Sequence, residues 1–437
     1  MRRWSLWVIA AVVFTIVWLL WPVRGWLAEE RPQLRSPMGW MALPPSAPVY
    51  DRVRDDRYAG AAARAVTAMR KHRIEIESPS LSAAVAIDGA VVWTAAVGWA
   101  DLSRRVRATP ETVYRIGSTS KSVTATGLAR MVDAGLLSVD TPLREIRARW
   151  PNPAWAALTP RQLASHTAGL PGYEENSDWM GLYQSLVLST PYATADQALS
   201  VFDGARLLFE PGRGFHYSSF DTVLLSAAMA KVAGKPFMTL MKDMVFKPLR
   251  LYGTGADADP AFAGRVAVHY QRWPARTSAR ADGATDRFKP WRPVDLSLKR
   301  AGGGLVSTPA DLVRLGAAWL DETFIKPETR EAFWTPVPLA DGRVNEQAYA
   351  LGWRRRTVTL PNGGEAVDHL NHGGVSKGAQ CWLMIVPEHG LALALAMNTR
   401  TPSFFDFAMV YRDILAAFLS AEKPADGDKD EAAVEEA

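Results

Sequence analysis

Cysteine is almost absent from this chain, and its scarcity narrows the possible classes of protein. The only cysteine among the 437 residues is Cys381. An intramolecular disulfide needs two thiols, so a small secreted scaffold held by disulfides is excluded, as is a metal site built from several cysteines. The remaining composition is that of a globular protein, with 48% hydrophobic and 22% charged residues, which excludes a wholly disordered chain.

Several common functional motifs are also missing. There is no Gly-x-Ser-x-Gly elbow, P-loop, dinucleotide-binding glycine fingerprint or His-Glu-x-x-His sequence. Zinc-finger spacing, a basic zipper and an aromatic RNA-binding signature are absent as well, so a nucleic-acid partner is not expected. His369 and His372 form a sparse pair without further ligands nearby, and we predict neither a metal nor a cofactor.

Charge is distributed unevenly along the chain, whose net charge is +5. Residues 421–437 contain two Lys and seven Asp or Glu, so they are predicted to form a disordered acidic tail. The remaining residues include 48 basic and 38 acidic side chains, an excess of +10. That excess suits an anionic membrane surface or a cell-wall polymer as a partner.

Long hydrophobic runs are missing except near the N-terminus, where residues 4–23 carry no charge. Twenty helical residues span about 30 Å, the thickness of the hydrocarbon core of a bilayer. Tryptophans lie toward both ends of the run, and two arginines precede it. Residues 1–28 are therefore predicted to be a single-pass anchor in the inner (cytoplasmic) membrane, with the body exported to the periplasm or cell exterior. A cleaved signal is the alternative, but Trp26 fits poorly two residues before the candidate cleavage site at Ala28.

The remainder of the chain predicts one folded body of the α+β class. Residues 29–56 are rich in proline and are predicted to be a linker, and residues 57–420 are predicted to be the domain. Two pairs of apolar runs separated by turn residues predict a β-hairpin near each end of that domain, at 81–87 with 90–97 and at 379–386 with 391–397.

Strands at both ends of a domain usually join one antiparallel sheet. Helices predicted at 58–73 and 404–419 would then flank one face of the sheet. A mostly helical subdomain of about residues 119–300 would pack against the other face. A cleft is expected where the sheet and this subdomain meet.

The main candidate catalytic residues lie in the segment 114–121, Tyr-Arg-Ile-Gly-Ser-Thr-Ser-Lys. Ser118 and Lys121 are three residues apart at the start of a predicted helix, so they share a face. The helix N-terminus favours negative charge on the serine oxygen, and Lys121 can accept its proton or stabilise the alkoxide. Ser-x-x-Lys alone is common, however, and a solvated helix start capped by Ser118 is the other interpretation of this segment.

Further segments resemble serine β-lactamases and penicillin-binding proteins, in the order that this family requires. They are Leu-Thr-Pro-Arg-Gln-Leu-Ala-Ser-His-Thr-Ala-Gly-Leu at 158–170, Phe-Glu-Pro-Gly at 209–212 leading to Tyr-Ser-Ser at 217–219, Gly-Gly-Gly-Leu-Val-Ser-Thr-Pro-Ala-Asp-Leu at 302–312, and His-Gly-Gly at 372–374. The resemblance covers about residues 58–419. It is closest to the class C β-lactamase-like branch, which includes D-alanyl-D-alanine carboxypeptidases, esterases and the mitochondrial β-lactamase-like serine protease.

The resemblance implies a catalytic role for each matching residue. Ser118 would be the acylated nucleophile, and Lys121 would bond to it and share its proton. Tyr217 would be the general base or proton relay, with its pKa lowered by neighbouring positive charge. The backbone N–H groups of Ser118 and Val375 would form the oxyanion hole.

Substrate-binding positions are implied at Ser219, His372, Gly373 and Gly374, with His372 lining the cleft on the edge strand. Two of them depart from the family pattern. Ser219 replaces an asparagine, and its hydroxyl has fewer bonding sites than a carboxamide. Gly373 replaces the threonine of many relatives, whose hydroxyl helps hold the carboxylate of a β-lactam or a terminal D-alanine. Ester or internal peptide substrates are therefore favoured over β-lactams.

The sequence thus predicts a membrane-anchored, exported serine hydrolase that acts through Ser118 on a peptide, amide or ester. A true β-lactamase or a D-alanyl-D-alanine carboxypeptidase, with a β-lactam-like or peptide substrate, is one alternative. A non-catalytic, membrane-tethered binding protein that kept the fold is another, and the departures at Ser219 and Gly373 are its main support. His166 is expected to be a buried structural histidine.

Overall fold

The computed structural model describes residues 2–30, 38–44, 46–273 and 287–422. The helices are, in chain order, α1 Arg2–Glu30, α2 Ala59–Glu75, α3 Ser120–Asp133, α4 Leu143–Ile146, α5 Pro160–Ser165, α6 Trp179–Val187, α7 Ala195–Leu199, α8 Ser219–Ala233, α9 Phe237–Met241, α10 Arg300–Gly303, α11 Pro309–Ala318, α12 Pro327–Trp334, α13 Phe404–Ala408 and α14 Val410–Glu422. The strands are β1 Met41–Ala42, β2 Val49–Val53, β3 Ser80–Ile87, β4 Ala90–Asp101, β5 Val106–Arg107, β6 Tyr114–Arg115, β7 Gly255–Ala256, β8 Tyr270–Arg272, β9 Arg287–Pro290, β10 Leu305–Ser307, β11 Arg354–Thr359, β12 Ala366–Ser376, β13 Ala379–Val386 and β14 Leu391–Met397. The predicted acidic tail lies outside the described residues from 423 onward.

One antiparallel sheet joins the two ends of the domain. Its strands are ordered β11-β12-β13-β14-β3-β4-β2, and the N-terminal and C-terminal parts meet where β14 pairs with β3. Both predicted hairpins are present, as β3–β4 and β13–β14. The folded body begins earlier than predicted, because β2 lies within the expected linker 29–56 and pairs with β4.

Side chains of the central strands alternate between two hydrophobic cores, as the two-residue period of a strand requires. On β14, Leu391 and Leu393 face the core formed with α2 and α14, whereas Ala392 and Ala394 face the core beneath α11. The alanines let α11 approach closely, since a Cβ added to Gly316 would lie 2.9 Å from that of Ala392. Burying each leucine contributes about 1.5–3 kcal/mol.

The predicted layers are confirmed. Helices from the two ends of the domain cover one face of the sheet, while the helical middle of the chain packs with α11 on the other. The predicted C-terminal helix 404–419 is divided at Met409 into α13 and α14. Cys381 is buried in the core beneath α11, as expected for a small strand residue.

The predicted membrane anchor corresponds to α1. Within the described residues, no single helix is both long enough and apolar enough to cross a membrane, and one bent pair, Ser219–Ala233 with Phe237–Phe246, meets these limits by length and composition only. The C-terminal end of α1 contacts the domain, where the Glu29 carboxylate accepts hydrogen bonds from Arg292 and Lys377. Glu29 therefore ties the helix to the body.

Candidate active site

Ser118 lies in a tight turn that leads into α3. Gly117–Thr119 form a 3-10 turn, and Gly117 has a φ of +51°, a conformation that a side chain disfavours. A Cβ on Gly117 would also lie 2.5 Å from the carbonyl oxygen of Val375. Glycine is therefore required here, because it lets strand β12 press against the turn. The Ser118 hydroxyl is half-buried at the start of the helix, as the sequence predicted.

Lys121 is buried one helical turn further on and points its amine at Ser118. The Nζ atom lies 3.3 Å from the Ser118 Oγ, 3.2 Å from the Ser219 Oγ and 2.7 Å from the carbonyl oxygen of Gly302. Burial lowers the pKa of the amine below its ordinary value of 10.5, although the Tyr217 phenol opposes the shift. A buried lysine with a lowered pKa can exchange a proton with the hydroxyl that it contacts.

Tyr217 completes the predicted trio. The Lys121 amine lies 4.7 Å from the centre of its ring, and the Arg354 guanidinium lies 5.2 Å from the centre. Burial raises the pKa of the phenol, but the charges of Lys121 and Arg354, together with hydrogen-bonding interactions with Ser118 and Lys121, outweigh burial, so the pKa lies below its ordinary value of 10.0. Within the described residues, the buried hydroxyl has no partner at full hydrogen-bonding geometry. Its bonding capacity is therefore available to a reacting group.

Ser219 begins α8 and directs its hydroxyl at the same amine. Ser218 caps that helix through the backbone N–H of Phe220 and donates to the carbonyl oxygen of Pro171, which orients the start of α8. The short side chain at position 219 therefore supports Lys121 through the 3.2 Å contact. Sequence reasoning placed Ser219 at the substrate and did not foresee its contact with the lysine.

Strand β12 forms the other wall of the site. Its pairing with β11 ends at Asn371, so among the described strands β13 alone pairs with residues 373–376. A Cβ on Gly374 would lie 1.9 Å from the carbonyl oxygen of Ile116, so this glycine permits the close approach of the strand to the turn. The Thr119 hydroxyl donates to the carbonyl oxygen of His372 at 3.1 Å and ties the two together.

His372 is not where the family pattern placed it. Its side chain is fully buried, and the pairing of β12 with β11 ends one residue before it, at Asn371. The Nδ1 lies 2.8 Å from the carbonyl oxygen of Gly373, and the Nε2 lies 2.9 Å from the Tyr349 hydroxyl. Burial lowers the pKa of the imidazole well below 6.5, which favours the neutral ring. His372 therefore lies behind the cleft and holds Tyr349, which corrects its expected place.

A buried His–Asp pair lies behind Tyr217. The Nδ1 of His166 is 2.7 Å from the Asp221 Oδ2, and its ring lies 4.4 Å from that of Tyr217 and 4.8 Å from that of Tyr349. Burial lowers the pKa of His166 and raises the pKa of Asp221, so both shifts favour the uncharged pair. The expectation that His166 is buried and hydrogen-bonded is confirmed. Asp221 was missed, although an acid in the first turn of an apolar helix is a signal that sequence reading could have used.

Arg354 is the other residue that the motifs did not identify. It begins β11, and its guanidinium lies over Tyr217 and 4.9 Å from the ring centre of Tyr349. Two of its nitrogens donate to the Gln347 Oε1, which fixes the side chain. Its influence on the phenol depends on the pairing of β11 with β12, which no short motif encodes.

An open cleft of about 450 Å³ adjoins Tyr217, which is the member of the trio that lines it. Its lining residues are Trp26, Gly172, Tyr173, Glu174, Glu175, Ser185, Leu186, Leu188, His216, Tyr217, Lys299, Lys377 and Arg400. The described residues contain no group of three or more His, Cys, Asp or Glu side chains arranged to hold a metal ion. The arrangement thus offers a hydroxyl, an amine and a phenol around one point at the edge of a cleft, the groups that acyl transfer needs.

The fold and the comparisons with known proteins define the class. The sequence profile of the β-lactamase family matches residues 62–418. The chain therefore belongs to this family and is a serine hydrolase.

Characterised relatives include both mitochondrial and bacterial proteins. The chain is 26% identical over 441 residues to the mitochondrial serine β-lactamase-like protein LACTB of Homo sapiens, covering 82% of this chain and 77% of the relative. It is 26% identical over 334 residues to the D-alanyl-D-alanine-carboxypeptidase/endopeptidase AmpH of Escherichia coli, covering 73% and 79%. The crystal structure of the D-amino acid amidase of Ochrobactrum anthropi SV3 with L-phenylalanine amide has the same fold, with a TM-score of 0.66 and 23% identity, covering 83% of this chain and 99% of that one.

Proposed function

We propose that this protein hydrolyses a peptide, amide or ester through an acyl-enzyme on Ser118. The observation that carries the proposal is the position of the Lys121 amine, 3.3 Å from the Ser118 oxygen in a buried site. Ser118 attacks the substrate carbonyl carbon while its proton passes to Lys121 or Tyr217. The leaving group then departs with a proton from the same pair, and water hydrolyses the acyl-enzyme.

The developing oxyanion would be held by the backbone N–H groups of Ser118 and Val375. The main chain of Val375 lies against Gly117, which supports this assignment. Within the described residues, positions 373–376 of β12 pair with β13 on one side only, so an extended substrate can lie along the other side and pair with the backbone there. Ser219 acts through Lys121 in this scheme.

The decisive experiment is active-site labelling. A fluorophosphonate probe is expected to add to Ser118, which peptide mapping by mass spectrometry would locate. The Ser118→Ala protein is the negative control, and Ser120→Ala is the matched control, because Ser120 is buried and is expected to leave labelling intact. An adduct on another residue, or equal labelling of the Ser118→Ala protein, would remove the proposal and favour the non-catalytic alternative.

We further propose that residues 4–23 anchor the protein in the inner membrane, with the domain in the periplasm or outside the cell. The absence of charge from this run supports the assignment. The full chain is expected to remain in the membrane pellet after an alkaline carbonate wash. A soluble product shortened near residue 28 would contradict the anchor and indicate a cleaved signal instead.

A further inference from the structure

Lys299 is a half-buried lysine in the cleft beside the nucleophile. It ends the 3-10 turn Ser297–Lys299 just before α10, and its amine lies 5.3 Å from the ring centre of Tyr173. No ion pair with Lys299 occurs among the described residues. Lys377, which lines the same cleft, is by contrast bonded to the Glu29 carboxylate at 2.7 Å. Of these two lysines, Lys299 alone therefore faces the cleft without a carboxylate.

The surroundings of Lys299 are rich in positive charge. Burial, followed by the charges of Lys377, Lys121, Arg115 and Arg400, lowers the pKa of its amine to about 7. The acidic groups of the cleft, Glu174 and Glu175, lie on exposed loop positions, and Glu175 faces the His216 ring at 3.7 Å. Lys377 and Arg115 are each paired with a carboxylate, Glu29 and Asp257 respectively, whereas no described carboxylate pairs with Lys299.

Lys299 is also close to the reacting groups. A Cβ placed on Gly303 would lie 3.7 Å from the Lys299 side chain and 3.8 Å from the Gly117 backbone. The aliphatic part of Lys299 therefore passes close to the turn Gly117–Thr119, which holds Ser118. On the opposite wall, Gly373 and Gly374 supply neither a hydroxyl nor a charge, and the Arg354 guanidinium is held over the Tyr217 ring by its hydrogen bonds to Gln347. An anionic group of the substrate would therefore find its partner on the Lys299 side of the cleft.

We propose that Lys299 is the anion-binding subsite of this hydrolase, and that its preferred substrates carry a carboxylate close to the scissile bond. The inference rests on the proposed function, since it names the substrate class of the same site. The lysine donates charge-assisted hydrogen bonds to the carboxylate. Tyr173 stacks on the amine and limits where it can point.

The test uses two pairs of esters that differ only in charge. The first pair, 4-nitrophenyl hydrogen adipate and 4-nitrophenyl adipamate, places the carboxylate or its neutral amide on the acyl side. The second pair, the 3-carboxyphenyl and 3-carbamoylphenyl esters of phenylacetylglycine, places it on the leaving group. In at least one pair, the wild type is expected to favour the acid by about tenfold or more in kcat/KM.

Lys299→Met is expected to abolish this preference while changing kcat/KM for the neutral ester less than about threefold. Lys231→Met, at an exposed position of α8, is the matched control and should keep the preference. The preference should also decline as pH rises through about 7, because Lys299 loses its charge there, whereas the neutral ester should not follow this decline. An equal loss for acid and amide in Lys299→Met, or no acid preference in either pair, would overturn the subsite.

The binding of adipate, measured in variants without Ser118, tests the anion-binding subsite independently of the proposed acyl-enzyme. Adipate should bind the Ser118→Ala protein about tenfold more tightly than the Ser118→Ala, Lys299→Met double variant, as measured by calorimetry. If the wild type hydrolyses neither ester pair but this difference is present, the subsite stands and the acyl-enzyme proposal is in error. Equal binding of adipate by the two variants overturns the subsite, whatever the activity.

Discussion

Replacing Lys121 by methionine is expected to lower kcat/KM for ester hydrolysis by a factor on the order of 10²–10⁴ while leaving the protein folded. Loss of a positioned general base commonly costs this much. Methionine fills nearly the same volume as the lysine stem but cannot take a proton from Ser118, 3.3 Å away. Activity should therefore fall in kcat, because the amine acts on the reacting oxygen in the proposed mechanism.

The stability of the Lys121→Met protein is expected to change little because two effects oppose each other. The substitution leaves the carbonyl oxygen of Gly302 without its 2.7 Å donor, which costs about 1–3 kcal/mol. It also removes a buried charged group, and replacing buried ions by apolar side chains is often neutral or stabilising by about 1–4 kcal/mol. A thermal unfolding midpoint close to that of the wild type would show that lost activity is not lost structure.

The pH profile provides a second measurement on the same variant. In the wild type, activity should rise with pH as the coupled Lys121–Tyr217 pair loses a proton, with an apparent pKa below the ordinary 10.5 of lysine. This rising limb should be lost or displaced in Lys121→Met. Lys231→Met is the matched control and should keep both the rate and the profile. Near-wild-type activity in Lys121→Met would contradict the role of the amine.

The order of the motifs predicted much of the site, because these contacts are made by segments whose local structure is simple. Ser118 lies in the turn that leads directly into α3 and Lys121 in the first turn of that helix, so their 3.3 Å contact follows from the three-residue spacing. The hairpins were equally predictable, since β13 and β14 are two apolar runs separated by a few turn residues. In both cases the residues that specify the local structure lie within about 20 residues of each other in the chain.

The contacts that the sequence did not predict depend on long-range pairing. Arg354 reaches Tyr217 only because β11 pairs with β12 in a particular register, with Arg354 opposite Asn371. His372 follows the last residue of this pairing, and its side chain is buried against Tyr349, outside the cleft in which it was expected. Asp221 reaches His166 because α8 packs on the turn after α5. None of these partners is close in sequence, so a motif cannot report them.

Replacing Gly374 by alanine is expected to reduce kcat by about 10²-fold or more, since a displacement of roughly 1 Å at a reacting group can have that effect. The added Cβ would lie 1.9 Å from the Ile116 carbonyl oxygen and 2.8 Å from the Thr119 nitrogen. Both are backbone atoms beside Ser118, so no side-chain rotation can relieve the overlap. Strand β12 or the turn Gly117–Thr119 must therefore move. Overpacking of this kind costs about 1–3 kcal/mol of folding stability.

Two matched glycine substitutions separate displacement of the turn from general destabilisation. Gly373→Ala would place its Cβ 2.5 Å from the end of the Phe404 ring, a half-buried side chain that can turn aside. It should lose stability but keep most of its kcat per folded molecule, measured as the steady-state turnover rate divided by the folded fraction. Gly60→Ala, exposed in α2 with nothing nearer than 3.7 Å, should change neither stability nor kcat.

Equal kcat per folded molecule in the Gly374 and Gly373 variants would mean that the contact of β12 with the turn is not what positions Ser118. A loss of kcat confined to the Gly374 variant would mean that the two neighbouring glycines have different roles. Gly373 would permit packing of the strand against Phe404, and Gly374 would permit the contact that positions Ser118.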